Sequence, residues 1–179
     1  MEEYIIISYA TKNQKYLDYT ERLINFFLLY NINNYHIRFY DSVSSKMEGC
    51  LLKPSFILDE LLIRKHSVIC IDIDSIITDY PYTLLQLENT FDIGFVFTPE
   101  RKNLISNGIH IFNYTTNTIS FLNRWNQLCK DKKLTSLDHH RLIDTYYEYY
   151  KNINIIDIRK YVKDWIVAQF SFNNKKLYF

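Results

Sequence analysis

The strongest constraint on this chain is its alternation of short β-branched apolar runs with longer amphipathic stretches. Ile5-Ile6-Ile7-Ser8-Tyr9 is a continuous apolar run of the kind that forms a strand buried on both faces. Residues 16–29 follow, with Leu17, Leu23, Ile24, Phe27 and Leu28 along one side of a predicted helix, and the asparagine-rich residues 31–34 end it. Tyr35–Tyr40 alternates and reads as a second strand ending at Asp41. Lys53-Pro54 opens a predicted helix over residues 55–64, with proline where its missing N–H costs little. Residues 68–73 predict a third buried strand. Beyond it the pattern predicts helices over 81–89, 118–130 and 138–150, strands over 93–98, 108–114 and 153–158, and a last amphipathic helix over 160–170.

Strands alternating with helices imply an α/β fold, a mostly parallel Rossmann-like sheet flanked by helices. At 179 residues the chain fits one domain, and with 3 Gly, 3 Pro and no repeat nothing marks a linker. Hydrophobic residues at 47% and charged residues at 23% describe an ordinary globular chain rather than a disordered one. A net charge of +1 supplies no long-range field for nucleic acid, so no nucleic-acid partner is expected. Cys50, Cys70 and Cys129 are far apart and odd in number, which indicates neither a disulfide framework nor a zinc site and fits a reducing compartment. Met1-Glu2-Glu3 is acidic where a secretory signal needs a basic start, and no apolar run approaches the roughly 20 residues that span a bilayer. The expectation is a soluble, cytoplasmic chain. The aromatic and basic residues of its last stretch, Trp165 to Phe179, are too few in charge to argue strongly for membrane association.

Asp72-Ile73-Asp74 carries the chemistry. In an open α/β sheet, ligands bind beyond the carboxyl ends of the strands. Residues two apart on a strand share a face, so both carboxylates are expected to enter one crevice. Two unit charges about 5 Å apart repel by roughly 3 kcal/mol at an effective dielectric of about 20. A cation relieves that repulsion, and hard oxygen ligands in small number suit Mg²⁺ or Mn²⁺. Capping of the next segment by one aspartate and solvation of the other is the alternative that the motif leaves open.

Four blocks in order resemble the GT-A-type glycosyltransferases, the DXD-containing nucleotide-diphospho-sugar transferases. They are the first strand through Thr11, and Lys53-Pro54-Ser55-Phe56-Ile57 with the later run ending in Asp72-Ile73-Asp74-Ser75. Next come Ser106-Asn107-Gly108-Ile109-His110 with Phe121-Leu122 and Trp125, and finally Leu137-Asp138-His139-His140-Arg141-Leu142. The fourth block has His139 where the family has glutamine, and the late His-x-x-Gly-x-x-Lys-Pro-Trp signature of one retaining branch does not occur. The resemblance implies transfer of a sugar from a nucleotide-sugar donor, a UDP-sugar, to a hydroxyl of a glycan or similar acceptor, with Mn²⁺ or Mg²⁺ at the aspartates. By the same resemblance Tyr9, Ala10 and Thr11 line the nucleotide pocket and Asp41 accepts a hydrogen bond from a uracil ring. Lys53 places charge near the diphosphate, Asp72 meets the ribose or a metal-bound water, and Asp74 ligates the metal. Asn107 and Gly108 form the floor of the acceptor pocket, Asp138 is the candidate for catalytic carboxylate, with capping of the following helix as the alternative, and His139 or His140 supplies a further metal or phosphate contact. Trp125 reads as core.

Two other classes share parts of this pattern. Haloacid-dehalogenase-like phosphatases also carry Asp-x-Asp after a strand, but on the first strand rather than the third. A non-catalytic α/β nucleotide-binding module would keep the fold without the chemistry.

Overall fold

The computed structural model describes residues 4–41, 43, 45–85, 87, 90–98, 105–131, 138–162, 166–170 and 176–177. The chain runs β1 (Ile5–Thr11), α1 (Gln14–Leu29), β2 (Tyr35–Tyr40), α2 (Lys46–Leu51), α3 (Lys53–Arg64), β3 (Val68–Ile71), β4 (Ser75–Ile77) and α4 (Tyr82–Leu85). It continues through β5 (Ile93–Phe97), β6 (Ile105–Phe112), α5 (Thr116–Lys130), α6 (Asp138–Tyr149), β7 (Ile155–Asp157), α7 (Arg159–Val162), β8 (Ile166–Phe170) and β9 (Lys176–Leu177).

Six strands form the main sheet in the order β2-β1-β3-β6-β5-β7. β1 pairs parallel with β2 and β3, β5 pairs parallel with β7, and β6 runs against its neighbours β3 and β5. The expected α/β architecture with a mixed, mostly parallel sheet is therefore observed. Alternate residues of each central strand feed two cores, which explains why those strands read as unbroken apolar runs. Ile6, Ile69, Ile71, Ile109 and Ile111 pack with Leu23 and Phe27 of α1 on one face. Ile7, Val68, Cys70 and Phe112 pack with Phe56 and Leu61 of α3, Phe121 and Trp125 of α5 and Leu142 of α6 on the other. Each such side chain, fully buried, contributes about 1.5–3 kcal/mol.

Local sequence sets the helix ends. The Asn13 side chain accepts the Lys15 N–H, so α1 begins at Gln14, two residues before the predicted start. Thr115 does the same for Thr118 and moves the start of α5 to Thr116. Lys53 and Pro54 both lie inside α3, which ends at Lys65 in the left-handed conformation at φ 52°.

Three expectations need correction. The third strand stops at Ile71 rather than residue 73, because the Ser75 N–H bonds back to the Asp72 carbonyl at 3.0 Å and draws Asp72-Ile73-Asp74 into a turn. The two aspartates are therefore turn residues, and their geometry does not follow from strand periodicity. Among the described residues the predicted last helix is represented by the four residues of α7, and residues 163–165 lie outside the described residues. Ile166–Phe170 instead forms a strand in a second sheet of order β4-β8-β9, where the exposed ladder of β4 gives this β-branched and aromatic segment a partner that outweighs its helical spacing. β6 begins at Ile105, three residues before the predicted strand, so Gly108 lies in its middle rather than at its start. The predicted helix over 81–89 is described only as α4, and residues 86, 88 and 89 lie outside the described residues. Among the described residues no helix is long and apolar enough to cross a membrane.

Candidate functional site

The reversed direction of β6 assembles the site. An antiparallel strand brings its beginning, not its end, to the carboxyl edge of a parallel sheet. Ile109 pairs with Ile71, and one residue further the Asp72 N–H donates to the Gly108 carbonyl at 2.9 Å. Asn107 and Gly108 thus stand beside the aspartate turn.

Lys53, the first residue of α3, reaches the same edge from beneath. It is 2% exposed, and its ammonium donates to Asp72 Oδ1 at 2.6 Å and to the Asn107 carbonyl. Burial opposes the lysine charge, but the nearby charges of Asp72 and Asp138 hold its pKa above the ordinary lysine range. The site therefore contains a permanent cation.

Asp138, the first residue of α6, is 3% exposed and held at two points. Its Oδ2 accepts a hydrogen bond from Asn107 Nδ2 at 2.7 Å, and its backbone carbonyl accepts from the Trp125 indole N–H at 3.0 Å. Burial raises its pKa, Lys53 and the Asn107 bond work against that rise, and Asp72 adds to it; the net shift is upward. A carboxyl with a raised pKa can take up a proton and release it.

Asp74 closes the turn. Arg22 of α1 donates from Nη2 to its carbonyl at 2.9 Å. Burial and the charge on Asp72 push the Asp74 carboxyl up to about 6. Its ionisation is thus held back first by burial and then by the neighbouring carboxylate.

Asp72 and Asp74 are the carboxylates that this turn would offer to a cation. Among the described residues no group of three or more His, Cys, Asp or Glu side chains is placed to hold a metal ion. His139 and His140 pack ring to ring, centroids 5.8 Å apart, and are not gathered with the aspartates into such a group. The set nonetheless fits a magnesium-type ion, which one or two carboxylates hold while water and substrate phosphate oxygens complete the shell. A pair of carboxylates in which one suppresses the ionisation of the other gains directly from a divalent charge.

The residues expected at the nucleotide are less closely gathered. The Tyr9 hydroxyl donates to the Gly49 carbonyl at 3.1 Å, and its ring packs on Phe56 and Tyr40. Burial first, and then Asp138 and Asp72, raise its pKa, so it lies within electrostatic reach of the site. Ala10 and Thr11 are buried at the end of β1. Asp41 stands off from this group at the end of β2, where its 90% exposed side chain pairs with Lys12 at 2.8 Å.

Two further groups, one half-buried and one buried, escaped the sequence reading. Arg22 lies on the partly buried side of an amphipathic helix, where nothing in the spacing sets it apart from a solvated arginine. His110 is fully buried among Phe95, Phe112 and Trp125, with Nε2 at 2.9 Å from the Ser106 carbonyl and no partner for Nδ1 among the described residues. Burial holds its pKa well below the ordinary histidine range, so it is a neutral ring of the core.

No protein-family model matches the chain, and no curated protein does. Solved structures do. A glycosyltransferase involved in the glycosylation of the major capsid of PBCV-1 superposes with a TM-score of 0.64 at 12% identity, covering 93% of this chain and 94% of that one. The apo form of the glycosyltransferase GlyE of Streptococcus pneumoniae TIGR4 gives 0.60 at 11% identity, covering 90% of this chain and 46% of that chain. The bifunctional glycosyltransferase WbbM gives 0.59 at 12% identity, covering 88% and 39%. The chain therefore has the fold of solved glycosyltransferases, and it spans less than half the length of two of these three.

Proposed function

We propose that this chain is a glycosyltransferase that moves a sugar from a nucleotide-sugar donor, a UDP-sugar, to a hydroxyl of a glycan or related acceptor. The observation that carries the reading is the convergence of Lys53, Asp72, Asn107 and Asp138 at the carboxyl edge of the sheet, on a fold shared with solved glycosyltransferases. Ligands in open α/β sheets bind at that edge.

Asp72 and Asp74 would hold Mg²⁺ or Mn²⁺. A divalent cation bound there would neutralise the departing nucleoside diphosphate, which is Lewis-acid assistance to the leaving group. Lys53 fixes Asp72 through their ion pair and adds a second positive charge at the edge the diphosphate approaches. Arg22 holds the far side of the turn through the Asp74 carbonyl. Asp138 is the base. As the acceptor oxygen bonds to the anomeric carbon and the bond from that carbon to the diphosphate oxygen breaks, the hydroxyl proton passes to the Asp138 carboxylate. Its burial supports this role, because it raises the affinity of the carboxylate for that proton.

Calorimetry of UDP binding with Mn²⁺ and in EDTA tests the reading. Binding is expected only with the cation, and Asp74→Asn is expected to remove it while leaving the fold intact. Equal UDP affinity in EDTA refutes the metal assignment, and UDP that binds in neither condition refutes the donor class.

A further inference from the structure

We infer that Asn107 is a positioning residue for transfer, whose side-chain amide aims the Asp138 carboxylate and whose backbone carbonyl anchors that arrangement to the ammonium of Lys53. The inference rests on the reading of Asp138 as the base. It adds to the expectation that Asn107 forms the floor of an acceptor pocket, because one amide N–H and the backbone carbonyl are engaged with Asp138 and Lys53.

Three observations carry it. First, Asn107 Nδ2 lies 2.7 Å from Asp138 Oδ2 and its backbone carbonyl takes a hydrogen bond from Lys53, so one residue touches both buried charges of the site. Second, Asn107 Oδ1 is buried without a hydrogen-bond partner among the described residues. Leaving a buried acceptor unpaired costs stability. Turning the amide over would pair nothing better, because it would set Oδ1 against the carboxylate oxygen of Asp138. The amide orientation is thus dictated by the ionised form of Asp138 and held at a loss. Third, the other end of Asp138 is fixed independently by the buried Trp125 indole on its backbone carbonyl. With the backbone pinned, the remaining freedom is rotation of the carboxylate, and the Asn107 amide removes it. An N–H donated to the carboxylate also favours the form that accepts a proton.

Asn107 acts on transfer only through Asp138, and a double-mutant cycle reads that directly. The four chains are the wild type, Asn107→Ala, Asp138→Asn and the double variant. The assay is release of nucleoside diphosphate from UDP-glucose, UDP-galactose, UDP-N-acetylglucosamine and GDP-mannose in Mn²⁺, with water as acceptor. Asn107→Ala is expected to lower kcat about a hundredfold, the usual cost of a misplaced catalytic group, with KM for the donor and Kd for UDP unchanged. In the Asp138→Asn background the same substitution is expected to change kcat by less than about threefold, since the base it aims is gone. Effects that multiply in the double variant, or a rise in KM with kcat intact, overturn the positioning role in favour of direct substrate contact. If Asp138→Asn alone keeps the wild-type rate, the base assignment fails and the positioning role with it. If the wild type releases diphosphate from none of the four donors and calorimetry in Mn²⁺ shows that it binds none of them, the transfer reading itself is refuted. Should Asn107→Ala not fold, Asn107→Ser completes the same cycle with a shorter donor.

Discussion

Replacing Lys53 with methionine removes the buried cation while keeping most of the volume of the side chain. The lysine side chain is 3% exposed and that of Asp72 is 24% exposed, with 2.6 Å between the charged atoms. Deleting one partner of a buried pair costs about 3–5 kcal/mol, because the other charge is left uncompensated. Asp72 keeps about a quarter of its exposure, so water recovers part of that, and the expected loss is about 2–3 kcal/mol. The lost donor to the Asn107 carbonyl belongs to the same figure. For a chain of this size, that loss lowers Tm by about 4–12 °C. The assay is urea unfolding followed by tryptophan fluorescence, to which the buried Trp125 contributes, with the slope against urea compared to confirm that only stability has changed. Lys53→Met combined with Asp72→Asn is expected to recover at least about 1 kcal/mol, since the stranded charge is gone. A Lys53→Met chain within about 0.5 kcal/mol of the wild type would show that the pair is exchanged freely with water and would remove the permanent cation from the site.

Gly94→Ala is expected to destabilise the chain by about 1–3 kcal/mol in the same urea assay, because the added Cβ would stand 2.7 Å from Ile158 Cγ2 and 3.2 Å from Ile111 Cβ; an unchanged midpoint would mean that β7 and α7 shift away freely. Asp92 is 8% exposed; burial opposes its charge, but bonds from Thr115, the Asn154 N–H and Asn117 hold its pKa below the ordinary aspartate value. Its contribution is therefore complete above about pH 4 and lost as pH falls through the depressed folded pKa, so the stability gap between wild type and Asp92→Asn should be wide at neutral pH and shrink in acid. An equal gap at pH 7 and about pH 3 would refute the role of the charge.

Local pattern and global pairing divide what the residues reveal on their own. β2 matches its predicted bounds, and α1, α3, α5 and α6 lie within two residues of theirs, because amphipathic spacing and capping side chains act over a few residues. The second sheet did not emerge, since residues 166–170 carry both helical spacing and β-branched content, and only the edge of β4 decides between them. α2 also escaped, being six residues capped by Ser45 with little apolar periodicity. At the site, Asp72 and Asp138 were identifiable as chemistry-bearing groups. That Lys53 lies buried against Asp72 was not, because a lysine at a helix start is usually solvated and its burial depends on a partner 19 residues away.

The direction of β6 is what brings the remaining partner, Asn107, to the site. The sequence of a strand does not state whether it runs with or against its neighbours, and a parallel β6 would have put Asn107 at the opposite edge of the sheet from Asp72. The antiparallel pairing Ile71↔Ile109 removes that freedom and sets Asn107 between Lys53 and Asp138. The register is equally strict. A slip of one residue in β6 would turn every side chain to the other face. Ile109 and Ile111 would leave the core under α1, and His110 would leave the aromatic packing of Phe95 and Trp125. The same apolar pattern that makes β6 a buried strand thus fixes, at its beginning, which polar residue meets the acid of α6. That link between core register and site geometry is what brings the Asn107 amide to the Asp138 carboxylate.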